Sequence, residues 1–268
     1  FSKFVLRETP NFWVIHLFSV LDYQTDIFLL SILLTETHVG WYGAAQTILL
    51  VFWMIPTAVR VALYPLMTRY YHTDRAALNT LYEETSRLLL IAILPMAAGV
   101  ALLAEPIILL IFDESFLPAV PALQWSIWAA VFAVLNVPSA RLLIIAHQQR
   151  AATWITGLSM GANVLANLWL IPQWGIVGAA VSRTLASFVF ALVIYLFAQR
   201  YILRHSLRAV LPRPVFATAV MTAVVFFVRE INWGLAIVVG TAVYLSTIIL
   251  IGGLTTRDKT YLRQLIGY

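Results

Sequence analysis

Residues 151–200 read AATWITGLSMGANVLANLWLIPQWGIVGAAVSRTLASFVFALVIYLFAQR, and Arg183 is the only charged side chain in them before Arg200. A bilayer's hydrocarbon core is about 30 Å thick, and a helix crosses it with roughly 20 mainly apolar residues. The stretch therefore reads as two spans, 151–171 and 175–198, turned by Pro172-Gln173-Trp174. The same criterion applied outward gives 11–34, 40–68, 86–112, 119–147, 211–228 and 231–254. The seventh span is the shortest, because Pro212, Arg213 and Pro214 leave only Val215–Val228 cleanly apolar. A re-entrant hairpin formed by the last two segments would leave the sidedness of the others unchanged. The expected fold class is an all-α, polytopic membrane protein with about eight transmembrane helices.

Composition agrees. The chain is 62% hydrophobic and 11% charged, where soluble domains carry about a quarter charged residues. A soluble fold of this length cannot hide so much apolar surface. There is no cysteine, and the five histidines lack metal-ligand spacing, so thiolate chemistry, disulfides and an HExxH-type site are excluded. The net charge of +5 is no signature of nucleic-acid binding here, because the basic residues sit between apolar runs.

Those basic residues orient the chain. With the N-terminus in the cytoplasm, thirteen of the seventeen lie in segments on that side and Arg229 alone lies opposite. Arg60, Arg141 and Arg183 fall within spans. The positive-inside rule then makes both termini cytoplasmic. The longest connection, Arg69–Thr85, carries Asp74, Arg75, Glu83 and Glu84 and reads as helix ends projecting into water on the same side. The opposite turns carry Glu36, Asp113, Glu114 and Glu230, with Trp41, Tyr42 and Trp174 near the boundary.

Asp26-Ile27 followed by Val39-Gly40-Trp41-Tyr42-Gly43-Ala44-Ala45 opens an ordered series of motifs. It continues through Leu63-Tyr64-Pro65, Leu103-Ala104-Glu105-Pro106-Ile107-Ile108 and Phe116-x-Pro118-Ala119-x-Pro121-Ala122-Leu123. Asn163, Asn167, Ile171-Pro172 and Gly175-Ile176-Val177-Gly178-Ala179-Ala180 complete it. In order and spacing the series resembles the polysaccharide transporters, the Wzx-type oligosaccharide flippases of the multidrug/oligosaccharidyl-lipid/polysaccharide exporter superfamily. The resemblance implies two six-helix lobes around a central cavity, with residues 1–200 as the second lobe and 201–268 as a terminal helix pair and tail. The first lobe would be missing from this sequence and would be a partner within the same chain. No cofactor and no catalysis are implied. The implied activity is outward flipping of an undecaprenyl-pyrophosphate-linked oligosaccharide across the bacterial cytoplasmic membrane by alternating access, in polysaccharide, O-antigen or exopolysaccharide biosynthesis. The lipid-linked oligosaccharide, membrane lipids and a coupling proton or sodium ion are the expected partners. Alternatives are a cation-coupled multidrug exporter of the same superfamily, or a membrane-embedded glycosyltransferase or polymerase. The latter usually needs a large extramembrane loop, which this sequence lacks.

Ionisable groups inside spans are costly, roughly 2.5–3.5 kcal/mol each on insertion scales, and each needs an explanation. Asp26, Arg183 and Asn163 each lie eight residues from the predicted outer end of a span, about 12 Å deep, and so form one polar layer. Asp22 lies one turn deeper on the face of Asp26, and Asn167 shares a face with Asn163. Two readings are open: a water-filled cavity that contacts sugar hydroxyls or a cation, and an Asp–Arg pair with Asn bridges that ties helices together. Arg60 and Arg141 lie in the cytoplasmic thirds of their spans. Given the diphosphate of the implied substrate, they are candidates for binding it in the forked geometry of arginine; snorkelling to the headgroups is the alternative. His16 reads as a packed core residue. The candidate binding residues are Asp22, Asp26, Arg60, Arg141, Arg183, Asn163 and Asn167.

Overall fold

The structure, a computed structural model, describes residues 24–203 and 210–253, apart from the side chains of 56–58 and 60–62. Every regular element in them is helical. In order they are α1 (Gln24–Leu33), α2 (Glu36–Thr73), α3 (Arg75–Leu102), α4 (Ala104–Ile111), α5 (Val120–Ile145), α6 (Gln149–Tyr201), α7 (Pro212–Val228) and α8 (Trp233–Leu250). A 3₁₀ turn over Glu114–Ala119 leads into α5. Among the described residues, five stretches are long and apolar enough to cross a membrane: Glu36–Ile55, Arg75–Leu102, Glu114–Ile145, Gln149–Tyr201 and Trp233–Leu250. Burial is inverted relative to a soluble protein. Trp154 is 80% exposed and Leu250 85%, whereas Asp26 is 2% exposed and Asn163 and Asn167 are fully buried. The chain is a polytopic α-helical membrane protein.

The helices differ from the predicted spans in three places, each with a local cause. The span expected over 86–112 is broken at Leu103 (φ −105°, ψ 19°) between α3 and α4. Pro106 is responsible: its ring collides with the carbonyl four residues back, at Leu102, and it has no N–H to donate there. The connection expected over Arg69–Thr85 shrinks to one residue, Asp74. Its carboxylate accepts from the N–H groups of Ala76 and Ala77 and so caps α3.

The third difference is in α6, whose 53 residues contain one non-helical residue, Gly175 (φ 57°, ψ −133°). Ser159 Oγ donates to the Ala186 carbonyl at 3.0 Å across 27 residues of chain. The two arms, 149–174 and 176–201, therefore fold back on each other as a hairpin. Only glycine occupies such a backbone conformation without strain. The turn falls one residue beyond the Pro172-Gln173-Trp174 connection read from sequence. Gly178 closes the hairpin, since a Cβ there would lie 2.3 Å from the Leu170 carbonyl oxygen.

Around α6 pack α1, α2 and α5, and α3 packs on α5. Thr184 Oγ1 donates to the Trp125 carbonyl at 2.8 Å, and Tyr82 and Ser139 hydrogen bond at 2.8 Å between α3 and α5. The α7–α8 hairpin rests on α3 through Ala98, Ala217, Met221, Val225 and Tyr244, whose hydroxyl donates to the Ile91 carbonyl at 2.7 Å. At 17 residues, α7 spans about 25 Å, which is short of a full crossing. Arginines close the pair: Arg87 donates to Gly253 O (2.8 Å), Arg213 to Gly252 O (2.9 Å) and Arg229 to Leu102 O (3.4 Å). These carbonyls lie at or just past helix ends, where no intrahelical donor reaches. In the turn after α4, the hydroxyl and N–H of Ser115 donate to Asp113 and hold its carboxyl below the usual carboxylate range.

Candidate substrate cavity

Residues spaced by four and three along a helix share a face, and four helical segments turn such faces toward one space. From α2 come Tyr42, Gln46, Leu49 and Trp53, and from α5 Ala129, Ala133, Asn136 and Ala140. The first arm of α6 supplies Ala152, Thr156 and Ser159, and the second Arg183, Ser187, Phe190 and Ile194. They enclose a cavity of about 520 Å³. From Tyr42 to Trp53 its wall runs about 16 Å along α2. Alanine and serine on α5 and α6 keep the space open, and aromatic rings on α2 and the second arm bound it.

One end is a network centred on Asp26. Arg183 Nε donates to its Oδ2 at 2.7 Å, and the Tyr42 hydroxyl to the same oxygen at 2.9 Å. Asn167 Nδ2 donates to Oδ1 at 2.8 Å and also to Asn163 Oδ1 at 3.0 Å. The carboxylate has a guanidinium partner and two further donors, the condition under which a buried charge is tolerated. Four helical segments, α1, α2 and both arms of α6, are tied at this point. Arg141 lines the other end, with its Cζ 5.9 Å from the ring centre of Tyr64.

Of the residues singled out from sequence, Asp26, Arg183 and Arg141 line this cavity. Asn163 and Asn167 do not line it; they lie behind it, fully buried, and orient Asp26. Asp22, His16 and the side chain of Arg60 lie outside the described residues. Sequence reasoning missed Tyr42 as a ligand of Asp26, and it missed Gln46, Trp53, Ser126 and Asn136 in the wall. The signal for Tyr42, Gln46 and Trp53 was their common face on α2, and Asn136 shares its face on α5 with Ala129, Ala133 and Ala140.

The sequence profile of the lipid II flippase MurJ matches residues 6–247. The chain belongs to the MurJ lipid II flippase family. That family lies in the superfamily read from the motifs, and the Wzx-type branch is not confirmed within it. A flippase is a transporter, as expected of a chain with no catalytic role. The Haloferax volcanii protein named probable low-salt glycan biosynthesis flippase Agl15 is 24% identical over 162 residues, covering 60% of this chain and 34% of that protein. An uncharacterized membrane protein of Methanocaldococcus jannaschii is 27% identical over 133 residues, covering 49% of this chain and 26% of that one. The matches thus span about a third or less of these relatives' length. Among solved structures, lipid II flippase MurJ in an inward closed conformation superposes with a TM-score of 0.77 at 16% identity, over 99% of this chain and 56% of that one. An outward-facing multidrug resistance MATE family transporter of the MOP superfamily gives 0.65 at 15% identity, over 91% and 63%. Both share the fold.

Proposed function

We propose that this chain forms one lobe of a flippase that carries a polyprenyl-diphosphate-linked glycan across the cytoplasmic membrane by alternating access. The observation that carries the reading is the cavity between the Asp26–Arg183 pair and Arg141, inside a member of a flippase family. Its volume, about 520 Å³, falls within the range of ligand pockets, roughly 300–1,000 Å³. The relatives named for lipid II and for low-salt glycan biosynthesis support a carrier-linked glycan as the cargo. An undecaprenyl-linked oligosaccharide in a bacterial inner membrane is the finer form of the reading, with both termini of this segment cytoplasmic and the opposing lobe outside it. Arg141 takes the diphosphate by forked, charge-assisted hydrogen bonds. Asp26 and Arg183 hold the far end of the cavity together.

The test is flipping of a polyprenyl-diphosphate-linked sugar in cells or proteoliposomes carrying the full-length protein, normalised to membrane abundance. Losing a charge-assisted hydrogen bond costs about 1.5–3 kcal/mol, so Arg141→Ala should lower substrate affinity by about one to two powers of ten. Arg141→Lys should restore part of it, because lysine keeps the charge and loses the fork. If alanine only lowers abundance and lysine is fully active, Arg141 snorkels and the diphosphate role falls. Transport of drug cations without any lipid-linked sugar would replace the flippase reading by an exporter.

A further inference from the structure

The α5 wall of the cavity carries two oxygens that nothing else in the described chain satisfies. Ser126 Oγ and Asn136 Oδ1 are buried without a hydrogen-bond partner. Ser126 is fully buried and Asn136 is 8% exposed, and both residues line the cavity. A buried acceptor left unpaired is unfavourable, and such groups are rare unless water or a ligand completes them. An amide oxygen only accepts, so what completes Asn136 must bring a hydroxyl or N–H. The rings of Trp53 and Phe190 line the same cavity from α2 and the second arm of α6. Hydroxyls on the rim and an apolar C–H face are the chemistry of a pyranose. A lipid tail supplies no such donors.

Spacing along α5 gives the order. Asn136 precedes Arg141 by five residues, about 7.5 Å of rise, and follows Ser126 by ten, about 15 Å. We infer that Asn136, which shares the cavity with Trp53, recognises the sugar joined directly to the diphosphate, and that Ser126 meets the glycan farther along, toward the Asp26–Arg183 end. This rests on the lipid-diphosphate-glycan reading above and adds to it the residues that distinguish sugar-bearing carrier from bare carrier. Asn136 is then a specificity residue, whereas Arg141 binds both carriers alike.

Two probes separate the inference from the reading beneath it: farnesyl diphosphate and farnesyl-diphospho-N-acetylglucosamine, each titrated into the detergent-purified full-length protein that contains this chain. The sugar-bearing probe should bind about tenfold more tightly, the equivalent of one well-made hydrogen bond with stacking. Asn136→Leu should bring that ratio to about one, whereas Arg141→Ala should weaken both probes and leave the ratio standing. Leucine also removes an unpaired oxygen, so the thermal midpoint of the ligand-free variant should equal or exceed that of the wild type. A lowered midpoint would mean that Asn136 is paired within the fold, and the proposal fails. Equal binding of the two probes to the wild type, or an undiminished ratio in Asn136→Leu, overturns the sugar site and leaves the diphosphate reading intact. If neither probe binds, both readings fall together.

Discussion

Asp26 illustrates what a charge inside a membrane requires. Its partners are Arg183 at 2.7 Å, Asn167 at 2.8 Å and Tyr42 at 2.9 Å. Removing Arg183 strands a buried carboxylate, at a cost of about 3–5 kcal/mol. Removing the Tyr42 hydroxyl loses one hydrogen bond to a charged group, about 1.5–3 kcal/mol. Thermal unfolding in detergent should therefore rank Arg183→Gln as more damaging than Tyr42→Phe. The Asp26→Asn/Arg183→Gln double variant should cost less than the sum of its singles, and additive losses would mean that the two charges do not stabilise each other. Exchanging the charges should recover little, because an arginine at position 26 would face the donors of Asn167 and Tyr42. The layer containing Asp26, Arg183 and Asn163 was legible in the sequence because helical rise per residue is fixed. The inward face of α2 went unread, because in a largely apolar run only Gln46, with the rings of Tyr42 and Trp53, marks it.

At the scale of elements, two glycines test different kinds of close approach. A Cβ on Gly178 would lie 2.3 Å from Leu170 O and 2.5 Å from its carbonyl carbon, backbone atoms of the opposite arm of α6. On Gly240 of α8 the nearest atom is Val225 Cγ2, at 2.5 Å, a side-chain methyl that can rotate away. Overpacking costs typically 1–3 kcal/mol and more where nothing yields. Gly178→Ala should thus lower the unfolding midpoint, or folded yield in the membrane, well beyond Gly240→Ala; equal effects would mean that the α6 hairpin is not closed through this contact. The hairpin turn was legible to within a residue because Pro172 and Gly175 punctuate an apolar run. The break at Leu103 went unread although Pro106 announces it, because hydropathy alone joins α3 and α4 into one apolar segment.

Across the whole molecule, the turns sort to two ends. Trp41 Nε1 donates to the Ser115 carbonyl at 2.8 Å, and a Cβ at Gly175 would lie 3.9 Å from Leu34 Cδ1. The start of α2, the 3₁₀ turn before α5 and the α6 hairpin therefore share one end. At the other end, Met67, Leu78, Ile145 and Leu203 pack together around the α2–α3 turn, the end of α5 and the end of α6. Which end faces the cytoplasm is a proposal that rests on the positive-inside rule, not on packing. Arginines 69, 75, 87, 150 and 200 mark the second end, and the first carries Glu36, Asp113 and Glu114. A chain without native cysteine allows a direct test. Thr37, Ser115, Gln173 and Thr80 are all exposed, so a cysteine at any of them is accessible to solvent. In intact cells an impermeant maleimide should label Thr37→Cys, Ser115→Cys and Gln173→Cys and spare Thr80→Cys until the membrane is opened. Labelling of Thr80→Cys with protection of the other three would invert the molecule and put Arg141 at the outer mouth of the cavity, away from the leaflet in which a diphosphate-linked glycan is assembled. Mixed labelling within the group of three would contradict the fold itself, because the Trp41–Ser115 bond and the Leu34–Gly175 contact hold those sites at one end.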